Sequence, residues 1–204
     1  MLIVLGGFLG SGRHILARKL AERMGFYYYD SEGKKPRRGF IDKNHMLRER
    51  IIRPMNDEAR TRYYELILDD FRVGSKMYPD IVVDDSLHRK KPRDFFLHEA
   101  RKYFDKIAFV WVDTPEESVA EHFSKMNELK IIRSIEKASA RRARHIKNFE
   151  QFGPETPVFF HHKTGKHSVG RLMRLVREGA DARDPRWKNP INLRPGGQKE
   201  EVAG

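Results

Sequence analysis

The sequence predicts an α/β protein in which helices cover both faces of a parallel sheet, giving three layers. Short apolar runs alternate with segments of helical periodicity along most of the chain, and this alternation is typical of strand–helix–strand units. The first apolar run leads through a glycine-rich turn directly into a helical pattern. With 204 residues, the chain is long enough for one domain with a full hydrophobic core and short for two.

Five apolar runs are expected to form the strands of this sheet. They lie at about residues 2–6, 26–30, 80–84, 107–112 and 157–161. The fourth run is continuously apolar, so we expect it to be a central strand with both faces covered.

Helical patterns connect these strands. They lie at about residues 15–24, 54–76, 92–104, 115–148 and 169–176, and residues 31–54 are polar, basic and irregular. Beyond Gly179 the apolar periodicity stops while Pro and Gly recur. We therefore predict one domain at residues 1–178, followed by a basic, flexible tail at residues 179–204.

The glycine-rich turn has the composition of a phosphate-binding loop. Backbone N–H groups at the start of a helix can converge on an anion, and the template for such a loop is G-x-x-x-x-G-K-[ST]. The first and sixth positions match, but arginine stands in place of the template's lysine and histidine in place of its serine or threonine. The candidate phosphate-binding residues are Gly7, Gly10, Ser11, Gly12, Arg13 and His14.

Acidic residues follow three of the predicted strands. Asp30, Asp84, Asp85 and Asp113 stand where the strands end. In a parallel sheet of this class, ligands bind at the carboxyl ends of the strands, so these side chains are candidates for the same site.

The chain is strongly basic, with 41 Lys and Arg against 29 Asp and Glu and a net charge of +12. This balance favours anionic partners such as nucleotides, phosphorylated metabolites or nucleic acid, although a solvated basic surface is the alternative. Two basic clusters follow the second and third strands and suit a polyanionic acceptor or solvated loops. They are Lys34, Lys35, Arg37 and Arg38, and Arg89, Lys90, Lys91 and Arg93.

Several classes of protein are disfavoured by the composition. There is no cysteine, which excludes disulfides and thiolate metal sites. No apolar run approaches the length of about 20 residues that a membrane span needs, and the first residues lack the basic start of a signal peptide. We expect a soluble, cytoplasmic protein without a membrane partner.

Taken together, these features resemble the P-loop kinases of the nucleoside-monophosphate, gluconate and shikimate kinase type. The resemblance covers residues 1–178 and includes a degenerate Walker A loop, the strand ending in Asp30, the strand ending in Asp84-Asp85, and the sequence of residues 110–117, Val-Trp-Val-Asp-Thr-Pro-Glu-Glu. It implies a P-loop NTPase fold with a parallel five-stranded sheet and a mobile lid at about residues 125–148. It also implies ATP or another nucleoside triphosphate as cofactor, together with Mg²⁺.

The same resemblance implies roles for individual residues. Arg13 would supply positive charge to the phosphates, and Asp84 or Asp85 would organise Mg²⁺ through water. Asp30 would orient or deprotonate the acceptor, or simply form a turn. The lid residues Arg141 and Arg142 would stabilise the charge that develops during transfer. His14 departs most seriously from the pattern, because Mg²⁺ prefers oxygen ligands to imidazole.

The leading hypothesis is an ATP-dependent kinase acting on a small-molecule or nucleotide-like acceptor that is anionic or bears a hydroxyl. One alternative is a pseudokinase that binds nucleotide or phosphate without transfer, since Arg13 and His14 both depart from the template. A second alternative is a polynucleotide end kinase or RNA-binding relative, suggested by the net charge and by the basic tail. The acceptor is not identified by the sequence, because acceptor pockets are built from variable loops.

Overall fold

The computed structural model describes residues 1–29, 31, 56–128, 132, 134–152, 159–162 and 168–178. The strands are β1 (Leu2–Gly6), β2 (Tyr27–Tyr29), β3 (Ile81–Asp84), β4 (Ile107–Asp113) and β5 (Phe159–His162). The helices are α1 (Arg13–Met24), α2 (Asp57–Met77), α3 (Lys90–Ala100), α4 (Glu116–Glu128), α5 (Ile135–Lys147) and α6 (Ser168–Glu178).

The strands form one parallel sheet in the order β2-β3-β1-β4-β5. Strand β1 lies in the centre, where Leu2 pairs with Ile81 of β3 and with Ile107 of β4. The chain winds from β1 toward one edge of the sheet and later crosses β1 to reach the other edge. Such a reversal opens a crevice at the carboxyl ends of the strands, and β1 therefore delivers the loop that follows it into that crevice.

Two hydrophobic cores lie on opposite faces of the sheet, as the predicted three-layer α/β arrangement requires. Leu2 and Val4 face the core under α2 and α3, whereas Ile3 and Leu5 face the core under α1 and α6. The first core is rich in aromatic side chains, among them Tyr63, Tyr64, Phe71, Phe96, Phe104 and Trp111. The predicted α/β fold class is confirmed. Side chains are described for strands β1 to β4, whereas β5 is described only by the pairing of its backbone with β4.

The helix boundaries follow from local capping. Asn56 begins α2 by accepting a hydrogen bond at its side chain from the backbone N–H of Ala59 at 2.9 Å, and Ser134 begins α5 in the same way through Lys137 at 3.3 Å. The sequence predicts one helical pattern across residues 115–148, but the structure has two helices, α4 and α5. A small separate core of Val119, Phe123 and Ala138 joins them.

Some predictions fall outside the described residues. These include Asp30, most of the irregular segment at residues 31–54, and the tail at residues 179–204. Within the described ranges, no helix combines the length and the apolar character needed to cross a membrane.

Candidate active site

The glycine-rich loop connects β1 to α1 and leaves the start of the helix open. Gly12 is the N-cap residue, with φ of 74°, and has no side chain with which to cap the helix, although Ser11 Oγ accepts a long hydrogen bond from the Arg13 N–H at 3.4 Å. The first turn also contains no acidic residue. Because the first N–H groups of a helix have no partner within the helix, this end of α1 is suited to bind an anion.

The loop carbonyls are held by side chains at every position from Gly7 to Ser11. Arg13 Nη1 donates to Gly7 at 3.0 Å and Phe8 at 3.3 Å, Arg142 Nη1 to Leu9 at 2.9 Å, His122 Nδ1 to Gly10 at 2.8 Å, and Thr114 Oγ1 to Ser11 at 2.8 Å. In a planar trans peptide the C=O and the following N–H point in opposite directions. Fixing the carbonyls toward these donors therefore fixes the direction of the N–H groups as well, and the loop is shaped before any ligand arrives.

Two glycines of this loop have no room for a side chain. A Cβ atom at Gly7 would lie 2.7 Å from Ser11 Oγ and 2.9 Å from the carbonyl oxygen of Val112. At Gly10, where φ is 85°, a Cβ atom would lie 2.8 Å from the ring of Phe123. Gly7, which is a template glycine, and Gly10, which is not, are thus required by close approach of neighbouring atoms. The predicted residues Gly7, Gly10, Ser11 and Gly12 share one tight turn.

Arg13 occupies the position of the template's lysine and lies within the loop. Its residue is only 7% exposed, and its Nε atom lies 3.5 Å from Asp84 Oδ2. Together with the bonds from Nη1 to the loop carbonyls, this contact ties the start of α1 to the end of β3. The positive charge predicted for the loop is therefore present, and it is already engaged by protein oxygens.

Asp84 and His14 meet at Tyr28, which the sequence analysis did not include in the site. The Tyr28 hydroxyl donates to Asp84 Oδ1 at 2.6 Å and lies 2.8 Å from His14 Nδ1. Since a hydroxyl has one hydrogen, His14 Nδ1 must be the donor in the second bond. His14 Nδ1 also lies 3.6 Å from Asp84 Oδ1, and the His14 side chain is 49% exposed. Tyr28 lies within a run of four aromatic residues, and such a run predicts core packing rather than a place in a site.

These residues do not fit the predicted magnesium site. Mg²⁺ keeps several waters in near-octahedral geometry and takes oxygen ligands. Both carboxylate oxygens of Asp84 already face Arg13 or Tyr28, and an imidazole stands where the template has a hydroxyl. Among the residues that the structure describes, no group of three or more His, Cys, Asp or Glu side chains is placed to hold a metal ion.

Asp85 faces a different set of partners from Asp84. It accepts hydrogen bonds from Arg60 Nη1 at 3.3 Å and from the Tyr64 hydroxyl at 3.2 Å, both from α2. Burial opposes the charge of this carboxyl, but the guanidinium groups of Arg60 and Arg13 hold the pKa of Asp85 below its ordinary value. Asp85 therefore belongs to a buried ion pair, which argues against its predicted role at a metal.

Two histidines, the buried His88 and the half-buried His145, join α5 to the segment that follows β3. The rings of His88 and His145 stack with centroids 4.3 Å apart and planes 12° apart. Burial, together with the neighbouring ring of His145, lowers the pKa of His88 to about 3. Burial, and then the positive charges of Arg141, Arg60 and Arg13, lower the pKa of His145 to about 4, although Asp85 acts in the opposite direction. Both rings are therefore neutral at physiological pH, and they hold α5 against the body of the domain.

The two predicted lid arginines have different surroundings. Arg142 is buried, and besides the Leu9 carbonyl it contacts Glu116 Oε2 at 3.0 Å. It is therefore a positioning residue for the loop. Arg141 is exposed and lies one helical turn before His145 on the same face of α5, which places its charge beside the stacked rings.

The two arginines of the second basic cluster make structural contacts. Arg93 is fully buried, with its guanidinium donating to the carbonyls of Leu87, Glu150 and Gln151 and lying over the ring of Phe152. Arg89 pairs with Asp57 at 2.9 Å. These contacts argue against solvated loops at both positions, and they leave neither guanidinium in the open arrangement that an acceptor would need.

The stacked histidines make the stability of the fold depend on pH. The pKa values of about 3 for His88 and about 4 for His145 lie below the ordinary 6.5. Below pH 6.5 these two histidines therefore bind protons in the unfolded chain but not in the folded chain. Above pH 6.5 both histidines are neutral in either state, so they do not change the free energy of unfolding with pH. Between pH 6.5 and pH 4, we expect the free energy of unfolding to fall by up to about 1.4 kcal/mol per pH unit for each histidine.

Urea unfolding at about pH 7.5 and at about pH 5 measures this dependence. His145→Phe keeps a flat ring but removes one titrating group, so the difference between the two pH values should shrink. His98→Gln is the matched control, because the His98 side chain is 79% exposed, and it should leave the difference unchanged. An equal pH dependence in all three proteins would contradict the assignment to the stacked pair.

Comparisons with known proteins bear on the fold. No protein-family model matches the chain, and no curated protein sequence matches it. Among solved structures, it is similar to a gluconokinase from Sinorhizobium meliloti 1021, with a TM-score of 0.56 and 18% identity over 87% of this chain and 90% of that one. It is also similar to a sugar kinase from Janibacter sp. HTCC2649, with a TM-score of 0.61 and 14% identity over 89% and 96% of the two chains. The chain therefore has the fold of the P-loop kinases.

Proposed function

We propose that this chain is a phosphotransferase that passes the terminal phosphoryl group of ATP or another nucleoside triphosphate to a small-molecule or nucleotide-like acceptor. The observation that carries the proposal is the pre-shaped loop, whose carbonyls from Gly7 to Ser11 are all held by side chains at the open start of α1. Phosphoryl transfer depends mainly on positioning and on compensation of charge, and a rigid loop at the positive end of a helix supplies both.

In this proposal the loop holds the β-phosphate, while Arg13 brings a permanent positive charge to it. Arg141 adds charge from α5, and Arg142 keeps the loop in shape. An oxygen of the acceptor forms a bond to the terminal phosphorus as the bond from that phosphorus to the bridging oxygen breaks, and the nucleoside diphosphate leaves. The proton of an acceptor hydroxyl passes to a base, for which Asp30, the next residue in the sequence after β2, is the candidate.

The first test is a thermal-shift series with ATP, ADP and GTP. A ligand present at a hundred times its dissociation constant adds about 2.7 kcal/mol to the free energy of unfolding, which is readily measured. We expect at least one nucleotide to stabilise the chain and the labelled γ-phosphate of its triphosphate to appear in an acceptor. No stabilisation by any nucleotide would contradict the proposal.

A second candidate function is a pseudokinase, which binds nucleotide without transfer. It is favoured by the engagement of Asp84 with Arg13 and Tyr28, because a carboxylate held in this way has little freedom to act during transfer. Stabilisation by nucleotides without label transfer into any metabolite or oligonucleotide pool would select this candidate. Transfer into oligonucleotides, with binding that is strongest at low salt, would instead identify a nucleic-acid acceptor.

A further inference from the structure

We infer that this site binds the phosphate chain of a nucleotide without Mg²⁺, and that the positive charges of the Arg13 guanidinium and of the protonated His14 ring take the place of the metal. The inference rests on the nucleotide site of the proposed function. It concerns which form of the nucleotide the site takes, since a free nucleotide carries more negative charge than its magnesium complex.

The oxygens that would receive a hydrated metal are committed to protein donors. Asp84 Oδ1 accepts the Tyr28 hydroxyl at 2.6 Å, and Oδ2 lies 3.5 Å from Arg13 Nε. Asp84 is nearly fully buried, so the carboxylate has little room to turn toward a water shell. Releasing it would leave the buried Arg13 guanidinium without its acidic neighbour, which is costly in a site of this kind.

His14 supplies the wrong ligand chemistry for magnesium at the position next to the loop. Imidazole nitrogen suits zinc, copper and iron, whereas magnesium takes oxygen. The ring is also oriented by its Nδ1 bond to Tyr28, which joins it to the same network as Asp84. His14 therefore lies at the start of α1 beside the loop, and in its protonated form, in which both ring nitrogens donate, its Nε2 is a suitable partner for a phosphate oxygen.

The positive charge around the loop comes from the chain itself. Arg13 lies inside the loop, the open end of α1 contributes its helix dipole, and Arg141 stands on the α5 face beside the stacked histidines. Because Arg13 Nη1 already donates to the Gly7 and Phe8 carbonyls and its Nε faces Asp84, Arg13 contributes a fixed positive charge beside the phosphates and needs no hydration shell of its own. These groups compensate the phosphate charge that a magnesium ion compensates in sites built on the template.

Calorimetric titration of the full chain with ADP and with ATP, once in EDTA and once in excess Mg²⁺, tests the inference. We expect the affinity in EDTA to equal or exceed the affinity in Mg²⁺. An affinity at least tenfold higher in Mg²⁺ would overturn the inference while leaving nucleotide binding intact. Absence of binding in both buffers would overturn the proposed function and this inference together.

The double variant Arg13→Lys/His14→Ser restores the template and should create a metal dependence. We expect Mg²⁺ to strengthen its nucleotide binding by about tenfold, equivalent to about 1.4 kcal/mol. The matched control is Arg18→Lys/Lys19→Ser, which also introduces a lysine and a serine at adjacent positions of α1, but where the side chains are exposed. Its nucleotide binding should depend on Mg²⁺ no more than that of the native chain. If the restored template binds with no greater metal dependence than the control, these two residues do not replace the metal. Circular dichroism establishes that each variant is folded.

Discussion

Replacing Gly10 by alanine is expected to destabilise the fold by about 2–5 kcal/mol and to abolish nucleotide binding. A residue with a Cβ atom pays about 1–2 kcal/mol for the left-handed conformation, here with φ of 85°, and overpacking adds about 1–3 kcal/mol. The added Cβ atom would lie 2.8 Å from Phe123 and 2.9 Å from Val119. Relief of these contacts must move the carbonyl of Gly10 away from His122, and the cradle loses its shape.

Two other glycines provide matched controls for this variant. Gly25 also has a positive φ, of 71°, but a Cβ atom there meets nothing within 4 Å. Gly25→Ala should therefore cost only the conformational term of about 1–2 kcal/mol and leave nucleotide affinity unchanged. Gly170 lies within α6 with equally open surroundings, so Gly170→Ala should stabilise the helix by up to about 1 kcal/mol.

Urea unfolding and calorimetric titration with ADP on the three variants separate the two effects of a glycine substitution. The assignment of the loop as a cradle predicts that affinity is lost only in Gly10→Ala. If Gly25→Ala lost affinity to the same extent, the cause would be general loss of stability, and the special role of Gly10 would be refuted.

The features of the fold that depend on neighbouring residues could be predicted from the sequence. Apolar runs and helical periodicity are properties of neighbouring residues, and they predicted the parallel sheet, its helical layers and the loop between β1 and α1. The ends of the strands follow from the same pattern, so Asp84 and Asp85 were found as site candidates. The split between α4 and α5 was missed, because residues 129–133, Leu-Lys-Ile-Ile-Arg, contain neither glycine nor proline.

The contacts that shape the site are long-range, and periodicity carries no information about them. His122 reaches the carbonyl of Gly10 across 112 positions of sequence, and Arg142 reaches that of Leu9 across 133. Arg142 was predicted as a lid residue of the site, and its contact with a backbone carbonyl gives it a positioning role for the loop. Tyr28 and the stacked histidines were missed for the same reason, since their partners lie on other elements.

The replacement Asp85→Asn is expected to lower the free energy of unfolding by about 3–5 kcal/mol at neutral pH. The change leaves the buried guanidinium of Arg60 without its charged partner, and breaking a buried ion pair on one side carries a cost of this size. It also sets an amide against the hydroxyl of Tyr64, which now donates to the carboxylate. Because domains of this kind have about 5–15 kcal/mol of stability in total, much of it would be lost.

The exposed pair on the same helix is the control. Arg62 Nη1 lies 2.9 Å from Glu65 Oε2, with side chains that are 68% and 42% exposed, so Glu65→Gln should change stability by less than about 1 kcal/mol. Asp85 and Glu65 differ in burial, but each pairs with an arginine of α2. A loss in Asp85→Asn no larger than in Glu65→Gln would mean that the Arg60–Asp85 pair contributes nothing to the fold.

Acid should erase the difference between the native chain and Asp85→Asn. The pKa of Asp85 is held below its ordinary value of about 3.9, so its stabilising contribution is complete above that pH and declines as the pH falls through the lowered pKa. Urea unfolding of both proteins at about pH 7 and at about pH 3 should therefore show a gap that narrows at the lower pH. The double variant Arg60→Met/Asp85→Leu removes both charges, and it should lose less than Asp85→Asn alone, since no uncompensated charge remains buried. If the double variant lost as much stability as Arg60→Met and Asp85→Leu lose together when made singly, Arg60 and Asp85 would act independently.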